Sequence, residues 1–243
     1  MINFSKRICD KITSKRLPDY VFSDQIRYLL VDGMIVLEVG CNLRPILSRS
    51  KRYLLHGVDP DPDIQVCDSE GVFDKFFHNR FEDIDDSYRC DLIIMDMVLE
   101  HMENADLNLI KAYNMLNPGG IIISNQPSNL HPFSLLNQIL PQKLKCSILA
   151  TLRPWSKPGK ITGWPAYYKL CNPLAIERFF ETRGWEIEVL RCEYNAADYF
   201  SWCIPLFLGV FWYEKLISLM RFRFLCSHFF FVTKKPLISE LRR

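Results

Sequence analysis

Short apolar runs with almost no polar interruption limit how this chain can fold more than any other feature of its sequence. Three of them, MIVLEV, DLIIMDM and GGIIISN, are nearly continuous. Strands with one face in water alternate polar and apolar residues, whereas unbroken runs are typical of parallel strands that are buried on both faces. Strand candidates lie at residues 34–39, 53–59, 91–97, 119–125, 185–193 and 224–235, with a weaker one at 72–81.

Segments with helical spacing separate several of these runs. In NADLNLIKAYNML, Leu107 and Ile110 are spaced for one side of a helix, which the following Pro-Gly-Gly stops. In NPLAIERFFETRGW, Asn172 is placed to cap a helix that begins at Pro173 and ends before Gly184. This alternation of strands and helices predicts an α/β protein with a doubly wound, parallel sheet.

The chain contains no internal repeat and no Gly/Ser linker, so we predict one main domain over residues 31–243. Residues 1–30 are expected to form an N-terminal helical extension. Residues from about 127 to 168, which carry several Pro and Trp residues, are expected to form an insertion on the substrate side.

Composition excludes several other classes of protein. A net charge of +2 and the lack of a basic patch with interleaved aromatics disfavour a nucleic-acid partner. The nine cysteines form no C-x-x-C pair and no cluster with zinc-ligand spacing, so we expect free thiols and no metal site. The basic N-terminus lacks the apolar stretch of a secretory signal, which favours a cytoplasmic protein.

The most aromatic part of the chain is YFSWCIPLFLGVFWYEKLISLMRFRF, residues 199–224. Its longest apolar window is well short of the roughly 20 residues that span a membrane. Two interpretations stay open. The segment is either a helix packed on the sheet, or a peripheral membrane contact that meets a lipid-linked substrate, with Arg221 and Arg223 near the headgroups.

The turn after the first run has the form of a nucleotide-binding turn without its later glycines. Gly40 ends the run at the edge where open α/β sheets bind ligands, Asn42 takes the place of a second glycine, and Arg44 precedes Pro45. Such a turn cannot offer the glycine-lined nest that a pyrophosphate needs, which disfavours NAD(P) and ATP. Asp59 ends the second run, where a carboxylate accepts hydrogen bonds from ribose hydroxyls. Together these features favour a nucleoside cofactor without phosphate.

Four segments in chain order, VLEVGCN, HGVDPD, RCDLIIMDMVLEHM and LNPGGIIISNQPSN, resemble successive motifs of class I S-adenosylmethionine-dependent methyltransferases. The sequence is most similar to the type 11 methyltransferase-domain group, because LEH and PGG occur here at the spacing of that group. The resemblance implies S-adenosylmethionine as cofactor. It also implies a Rossmann-like fold with a mostly parallel, seven-stranded sheet whose last strand, in residues 224–235, is antiparallel.

The resemblance also implies where the cofactor binds. The matching residues are Glu38 and Gly40 against the methionine part, Asp59 on the ribose, Pro60 and Phe81 beside the adenine, and Met97 and Val98 beneath the cofactor. Asn42 and Arg44 stand where members of the family carry glycine. Because arginine matches a carboxylate in a bidentate pair, we predict that Arg44 binds the carboxylate of the cofactor; a solvated surface arginine is the alternative.

Catalysis requires that the acceptor be aligned with the methyl group, and a hydroxyl acceptor also needs a general base. His101 and His131 are the histidines predicted near the ends of the fourth and fifth strands. The alternative for His101 is a structural role at a helix start. Glu100 is interpreted as complementing the N-terminus of the following helix. Tyr167 and Tyr168 are expected either to close over the substrate or to take part in ordinary aromatic packing.

The sequence thus predicts an S-adenosylmethionine-dependent methyltransferase that acts on a small-molecule, glycan or lipid-linked acceptor, with oxygen favoured as the methylated atom. A methyltransferase-like binding or scaffold protein without activity is the alternative. The missing glycines favour that alternative, whereas Glu38, Asp59 and the LEHM segment oppose it.

Overall fold

The computed structural model describes residues 5, 9, 12–13, 22–41, 45–61, 71–141, 144 and 165–237. The strands are β1 (Ile35–Val39), β2 (Leu54–Val58), β3 (Lys75–Phe77), β4 (Cys90–Asp96), β5 (Leu116–Pro127), β6 (Ile187–Glu193) and β7 (His228–Lys234). The α-helices are α1 (Phe22–Leu29), α2 (Ala105–Met115), α3 (Pro132–Ile139), α4 (Pro173–Glu181) and α5 (Ile204–Leu219). Short 3-10 helices lie at Phe81–Asp83, Leu99–His101, Ala196–Phe200 and Arg223–Leu225.

All seven strands form one sheet in the order β3-β2-β1-β4-β5-β7-β6. Strands β1 to β5 pair in parallel, and β7 is antiparallel to both of its neighbours, β5 and β6. The predicted α/β fold, a mostly parallel seven-stranded sheet with an antiparallel last strand, is therefore confirmed. Because β7 runs against β5, its first residue lies at the same edge of the sheet as the carboxyl ends of β1, β2, β4 and β5.

The sheet is covered on both faces, as the unbroken apolar runs require. On one face α2 and α4 bury a core that includes Ile93, Leu109 and Phe180. On the other face α1 packs through Ile26 against β1, β2 and β4. The chain between β1 and β2 contributes no long helix, and α1 supplies the cover there instead.

The apolar face predicted for α2 from Leu107, Ile110 and Leu116 is wrong at Leu107, whereas Ile110 packs against the core and Leu116 is buried. Leu107 is 60% exposed, whereas Ala105, Leu109 and Ala112 are fully buried. The face is set by close packing of the small alanines and by the ring of Tyr113, which stacks on Trp185 with 3.7 Å between the ring centroids. Small buried residues such as these alanines let neighbouring elements pack closely. A search for regularly spaced large apolar residues does not detect them.

The limits predicted for α4 are confirmed. The Asn172 side chain accepts a hydrogen bond of 2.9 Å from the backbone N–H of Leu174, and Pro173 is the first helical residue. Gly184 follows the helix with a φ of +64°, a conformation that glycine adopts without strain.

The domain limits stay predictions. Part of the predicted extension, α1, packs on the sheet, and Cys9 is buried beside Phe207 of α5. Of the predicted insertion, α3 and residues 165–168 are described, whereas residues 142–143 and 145–164 lie outside the described residues. None of the helices within the described ranges is both long and apolar enough to cross a membrane.

Candidate active site

Gly40 follows β1 at the carboxyl edge and is required there for two reasons. Its φ is +65°, and a Cβ at this position would lie 2.5 Å from Cγ2 of Val98, the second residue after β4. The turn after β1 therefore packs directly on the segment after β4. The backbone N–H of Gly40 donates to the carbonyl of Val58 at 2.8 Å, which ties this turn to β2 as well.

Glu38 lies on β1 just before this turn and is 3% exposed. Its Oε1 accepts a hydrogen bond of 2.8 Å from the backbone N–H of Ile46, so the carboxyl group joins the strand to the far side of the turn. Its Oε2 is buried and has no hydrogen-bond partner among the described residues. Burial raises the pKa of Glu38 to about 7. An unpartnered carboxyl oxygen at this position fits the ammonium group of a bound amino acid moiety.

Asp59 follows β2 and is 7% exposed. Its Oδ1 accepts from the backbone N–H of Asp61 at 2.9 Å, and its own backbone N–H donates to the carbonyl of Phe77 at 3.2 Å. The carboxylate is thus fixed at the carboxyl edge, as a ribose-binding residue requires, with Pro60 exposed beside it.

The structure does not support a cofactor contact for three of the predicted residues. Phe81 is 3% exposed and packs in the core with Leu37 and Val58, so the structure gives it a packing role; its contact with adenine stays a prediction. Asn42 and Arg44 lie outside the described residues, and the carboxylate contact of Arg44 also stays a prediction.

Met97 and Val98 follow β4, where they were predicted to pass beneath the cofactor. Met97 has a φ of +56°, and its backbone N–H donates to the carbonyl of Asn125 at 2.8 Å. A non-glycine residue in this conformation costs on the order of 1–3 kcal/mol and is found most often at functional sites. Asp96, just before it, accepts from Asn125 Nδ2 at 2.8 Å, and burial raises the pKa of Asp96.

A cavity of about 630 Å³ begins at Met97. Its polar lining residues are Glu100, His101, His131, Ser134, Asn137, Tyr168, Ser227 and His228. Its apolar wall is formed by α3, through Phe133, Leu136 and Leu140, together with Phe200 and Tyr199. The cavity therefore has the few convergent polar groups and the apolar walls that are typical of small-molecule sites.

His101 lines this cavity, and its side chain is 40% exposed. Its Nδ1 is 2.9 Å from the carbonyl oxygen of Pro165, so the ring donates from Nδ1, and in the neutral form Nε2 carries the lone pair. Nε2 is 4.0 Å from Oε1 of Glu100. Both interpretations of His101 find support, because the backbone contact fixes the ring and leaves Nε2 able to accept a proton.

His131 caps α3, and its geometry differs from the predicted general base. It is 2% exposed, and its Nδ1 accepts from the backbone N–H of Phe133 at 3.4 Å. The proton is therefore on Nε2, which is buried and has no partner among the described residues. Burial, with a smaller effect of His228, lowers the pKa of His131 to about 4. His131 is thus placed as a neutral hydrogen-bond donor to the cavity.

Only one of the two tyrosines faces the cavity. Tyr168 is 8% exposed, and its hydroxyl accepts from Asn137 Nδ2 at 2.6 Å. Tyr167 is 46% exposed and is not part of the lining among the described residues. The backbone N–H groups of both donate to the carbonyl of Glu100, at 2.7 and 3.2 Å, which anchors the end of the insertion to the cavity.

Sequence reasoning missed two residues of the cavity. Glu100 does not complement a helix terminus; it is 4% exposed, its Oε2 has no partner among the described residues, and burial raises its pKa to about 8. His228 begins β7 opposite Pro127, and burial lowers its pKa to about 4. The predicted antiparallel last strand was a signal for His228, because such a strand enters the sheet at the carboxyl edge.

Comparison with known proteins agrees with this geometry. The sequence profile of a family described as "Methyltransferase domain" matches residues 14–189. The N-methyltransferase NodS from Bradyrhizobium japonicum WM9, solved with S-adenosyl-L-homocysteine, has a TM-score of 0.51 at 15% identity, over 97% of this chain and 98% of NodS. The plantazolicin methyltransferase BpumL, also solved with S-adenosylhomocysteine, has a TM-score of 0.51 at 14% identity, over 88% of this chain and 81% of BpumL.

The [4+2]-cyclase SpnF is similar to the same degree, with a TM-score of 0.51 at 13% identity over 96% of this chain and 81% of SpnF. At such identities the likeness of the structures shows the fold alone. A search of curated proteins found no match. The family profile covers more than two-thirds of the chain, and the sheet has the order that the resemblance implied. The chain therefore belongs to the methyltransferase domain family and has the fold of class I S-adenosylmethionine-dependent methyltransferases.

Proposed function

We propose that the protein transfers a methyl group from S-adenosylmethionine to a hydroxyl group of an acceptor that binds in the cavity beside Met97. The observation that carries this proposal is that His101 and Glu100, shortly after β4, line an otherwise largely apolar cavity. When bound, S-adenosylmethionine supplies an electrophilic methyl group on a positively charged sulfur. The protein must then orient the acceptor, exclude water and remove a proton.

The residues at the carboxyl edge fit this cofactor. Oε2 of Glu38 is a buried acceptor without a partner among the described residues, which suits an ammonium group, and Asp59 suits two ribose hydroxyls. Glu38, Asp96 and Glu100 are three buried or half-buried carboxyl groups near one another, and Asp96 raises the pKa of each of the other two. A cation among them relieves this repulsion, and S-adenosylmethionine carries two cationic groups.

We assign the general base to His101. The bond from Nδ1 to the Pro165 carbonyl holds the ring in the tautomer whose Nε2 accepts a proton. Once protonated, the imidazolium lies 4.0 Å from the Glu100 carboxyl group, which stabilises its charge when Glu100 is ionised. Because the side chain is partly exposed, the proton then passes to solvent. In this assignment Glu100 also contacts the acceptor through Oε2, and His131 donates a hydrogen bond from Nε2 to it.

We further propose that the segment 199–224 forms a peripheral contact with a membrane surface and does not span the bilayer. Helix α5 carries apolar residues on its exposed side as well as on its buried side: Leu206, Leu208, Trp212, Leu216 and Leu219. Lys215 and Arg221 flank them, whereas the helix's acidic residue, Glu214, is buried and accepts hydrogen bonds from the backbone N–H groups of Ala196 and Ala197. Apolar residues flanked by cations fit an anionic lipid surface.

Calorimetry and product analysis test the proposed reaction. We expect S-adenosylhomocysteine to bind and NADH not to bind, because the turn at Gly40 offers no pyrophosphate nest. Incubation with S-adenosylmethionine and hydroxylated apolar compounds should yield a methylated product by mass spectrometry, and His101→Asn should reduce its rate about 100-fold while cofactor affinity is kept. Cofactor binding without product from any acceptor would favour the scaffold alternative, and binding of NADH alone would contradict the cofactor assignment.

A further inference from the structure

We infer that the methyl acceptor is an uncharged, hydrophobic molecule with a hydroxyl group at its inner end, such as a long-chain phenol. This inference rests on the proposal that the cavity beside Met97 receives the acceptor. Three independent features of the cavity lead to it: the charges of its lining, its unpartnered polar atoms and the course of its apolar wall.

The described lining is poorly suited to an anionic acceptor. Among the described residues that form the cavity there is neither lysine nor arginine, and Glu100 is the one carboxyl group. His131 and His228 are kept neutral because burial disfavours their charged forms. A carboxylate or phosphate in this cavity would lose its hydration and would find only the imidazole of His101 as a partner among these residues, which disfavours its binding.

Two buried polar atoms of the lining have no partner among the described residues, and they differ in kind. Nε2 of His131 is a donor, because Nδ1 is occupied by the N–H of Phe133. Oε2 of Glu100 belongs to a carboxyl group that can accept a hydrogen bond or, when protonated, donate one. A hydroxyl group both donates and accepts, so it can pair with atoms of either kind. A hydrocarbon would leave both atoms unsatisfied, which is costly in a buried site.

The rest of the cavity fits an apolar body. Phe133, Leu136, Leu140 and Phe200 form one wall, and Phe133 stacks on Phe200 with 5.0 Å between the ring centroids. Helix α3 continues this apolar character outside the cavity, because Leu135 and Ile139 are 39% and 77% exposed. A molecule longer than the cavity therefore finds apolar surface along α3, although exposed Gln138 also lies on this helix.

Equilibrium binding of three matched probes tests this inference on the full chain without cofactor. The probes are 4-octylphenol, 4-octylbenzoate and octylbenzene, which share the apolar body and differ in the polar end. We expect 4-octylphenol to bind about tenfold more tightly than either of the others, because it alone satisfies the buried polar atoms without bringing a charge. Equal or tighter binding of 4-octylbenzoate would overturn the inference.

Variants of Glu100 test which atoms of the lining form hydrogen bonds with the hydroxyl group. Glu100→Leu should bring the affinities for 4-octylphenol and octylbenzene to within about twofold of each other, whereas Glu100→Gln, which keeps polar atoms, should retain the preference. Glu103→Leu is the matched control, because Glu103 is exposed in the same loop and lies outside the lining. A preference for the phenol that survives in Glu100→Leu would contradict the inference.

The outcome is separable from that of the proposed reaction, because binding is measured without methyl transfer. Selective binding of 4-octylphenol with no transfer from S-adenosylmethionine would support the acceptor class and contradict the reaction. Transfer to an anionic acceptor, together with poor binding of the phenol, would support the reaction and overturn the acceptor class.

Discussion

Gly40 and Gly184 have nearly the same backbone conformation, with φ angles of +65° and +64°, but very different surroundings. A Cβ at Gly184 would meet nothing within 4 Å, whereas one at Gly40 would press against Val98. The pair therefore separates the cost of a left-handed backbone from the cost of steric overlap at the carboxyl edge of the sheet.

We expect Gly184→Ala to lower the free energy of unfolding by about 1 kcal/mol, the cost of a left-handed alanine. Gly40→Ala should lower it by roughly 1–3 kcal/mol more, because overpacking against Val98 adds to the same backbone cost. Urea unfolding measures both. Val98→Ala in the Gly40→Ala background should recover part of the loss. Equal losses in the two single variants would mean that Val98 does not restrict this turn.

Two substitutions of Asp59 can separate the contribution of its charge to cofactor binding from the contribution of its hydrogen bonds. Asp59→Ala should weaken S-adenosylhomocysteine binding about tenfold or more, because charge-assisted hydrogen bonds to the ribose are lost. Asp59→Asn should weaken it less, since an amide oxygen still accepts from the N–H of Asp61. Calorimetry gives the affinities, with Asp32→Ala as control, because Asp32 is exposed and paired with Arg52 before β1. An unchanged affinity for Asp59→Ala would place the ribose elsewhere.

Glu100 makes stability depend on pH in a direction opposite to that of an ion-paired carboxylate. Its pKa is about 8 in the folded protein, against an ordinary value of 4.5. The unfolded chain therefore releases this proton at lower pH than the folded protein does, and folding stability falls as pH rises from about 4.5 to about 8. Glu38, with a pKa of about 7, adds an effect of the same sign.

We expect Glu100→Gln to remove a large part of this pH dependence and to raise the free energy of unfolding at pH 8 by on the order of 2 kcal/mol. Urea unfolding at a series of pH values measures the effect. Glu103→Gln, which changes an exposed residue, should leave the pH profile as it is in the wild type. A profile that Glu100→Gln does not alter would mean that Glu100 is hydrated and ionised in the folded protein.

At the scale of elements, α5 is unusual because it is apolar on the side that faces water. A helix that is hydrophobic all round is normally buried on all sides. Its inner side packs on Ala197 and Phe200, which places α5 next to the wall of the cavity. Contact of the outer side with a lipid surface would bring the cavity close to a source of hydrophobic molecules.

Leu216→Glu tests this contact. We expect the wild-type protein to co-sediment with phosphatidylglycerol vesicles more than with phosphatidylcholine vesicles. The free energy of binding to the phosphatidylglycerol vesicles should be at least halved in Leu216→Glu, compared with the wild type. Leu107→Glu is the matched control, because Leu107 on α2 is 60% exposed and Leu216 is 56% exposed. If the control loses as much binding as the variant, or if no vesicle binds, α5 is not a membrane contact. Its exposed side would then require another partner.

The sequence predicted the positions of helices and strands better than it predicted which of their sides are buried. Unbroken apolar runs identified the strands because both faces of a parallel sheet are buried, and Asn172 and Gly184 marked the ends of α4 because caps act locally. The orientation of α2 was mispredicted because it depends on what packs against it. Leu107 has the right spacing for a core residue but is 60% exposed, whereas Ile110 packs against the core and Tyr113 stacks on Trp185.

At the scale of the whole molecule, the two halves of the site differed in how well they could be predicted. The cofactor residues Glu38, Gly40 and Asp59 lie close in sequence and end adjacent strands, so local motifs suffice to find them. The cavity instead combines Met97, His131, Tyr168 and His228, from four distant parts of the chain. The role of Glu100 was mispredicted for a different reason. The sequence motif that contains Glu100 was recognised, but the burial that sets its pKa is a property of the fold.

The insertion of β7 between β5 and β6 has a consequence for the order in which the protein can assemble during synthesis. The strands whose carboxyl ends carry the predicted cofactor residues are complete by residue 96, whereas the cavity lacks His228 until β7 has left the ribosome and entered the sheet. Until then, the inner edges of β5 and β6 are unpaired and open to pairing with other chains. A nascent chain can therefore form the part that carries the predicted cofactor residues early. It completes the sheet and the cavity together, in one late step.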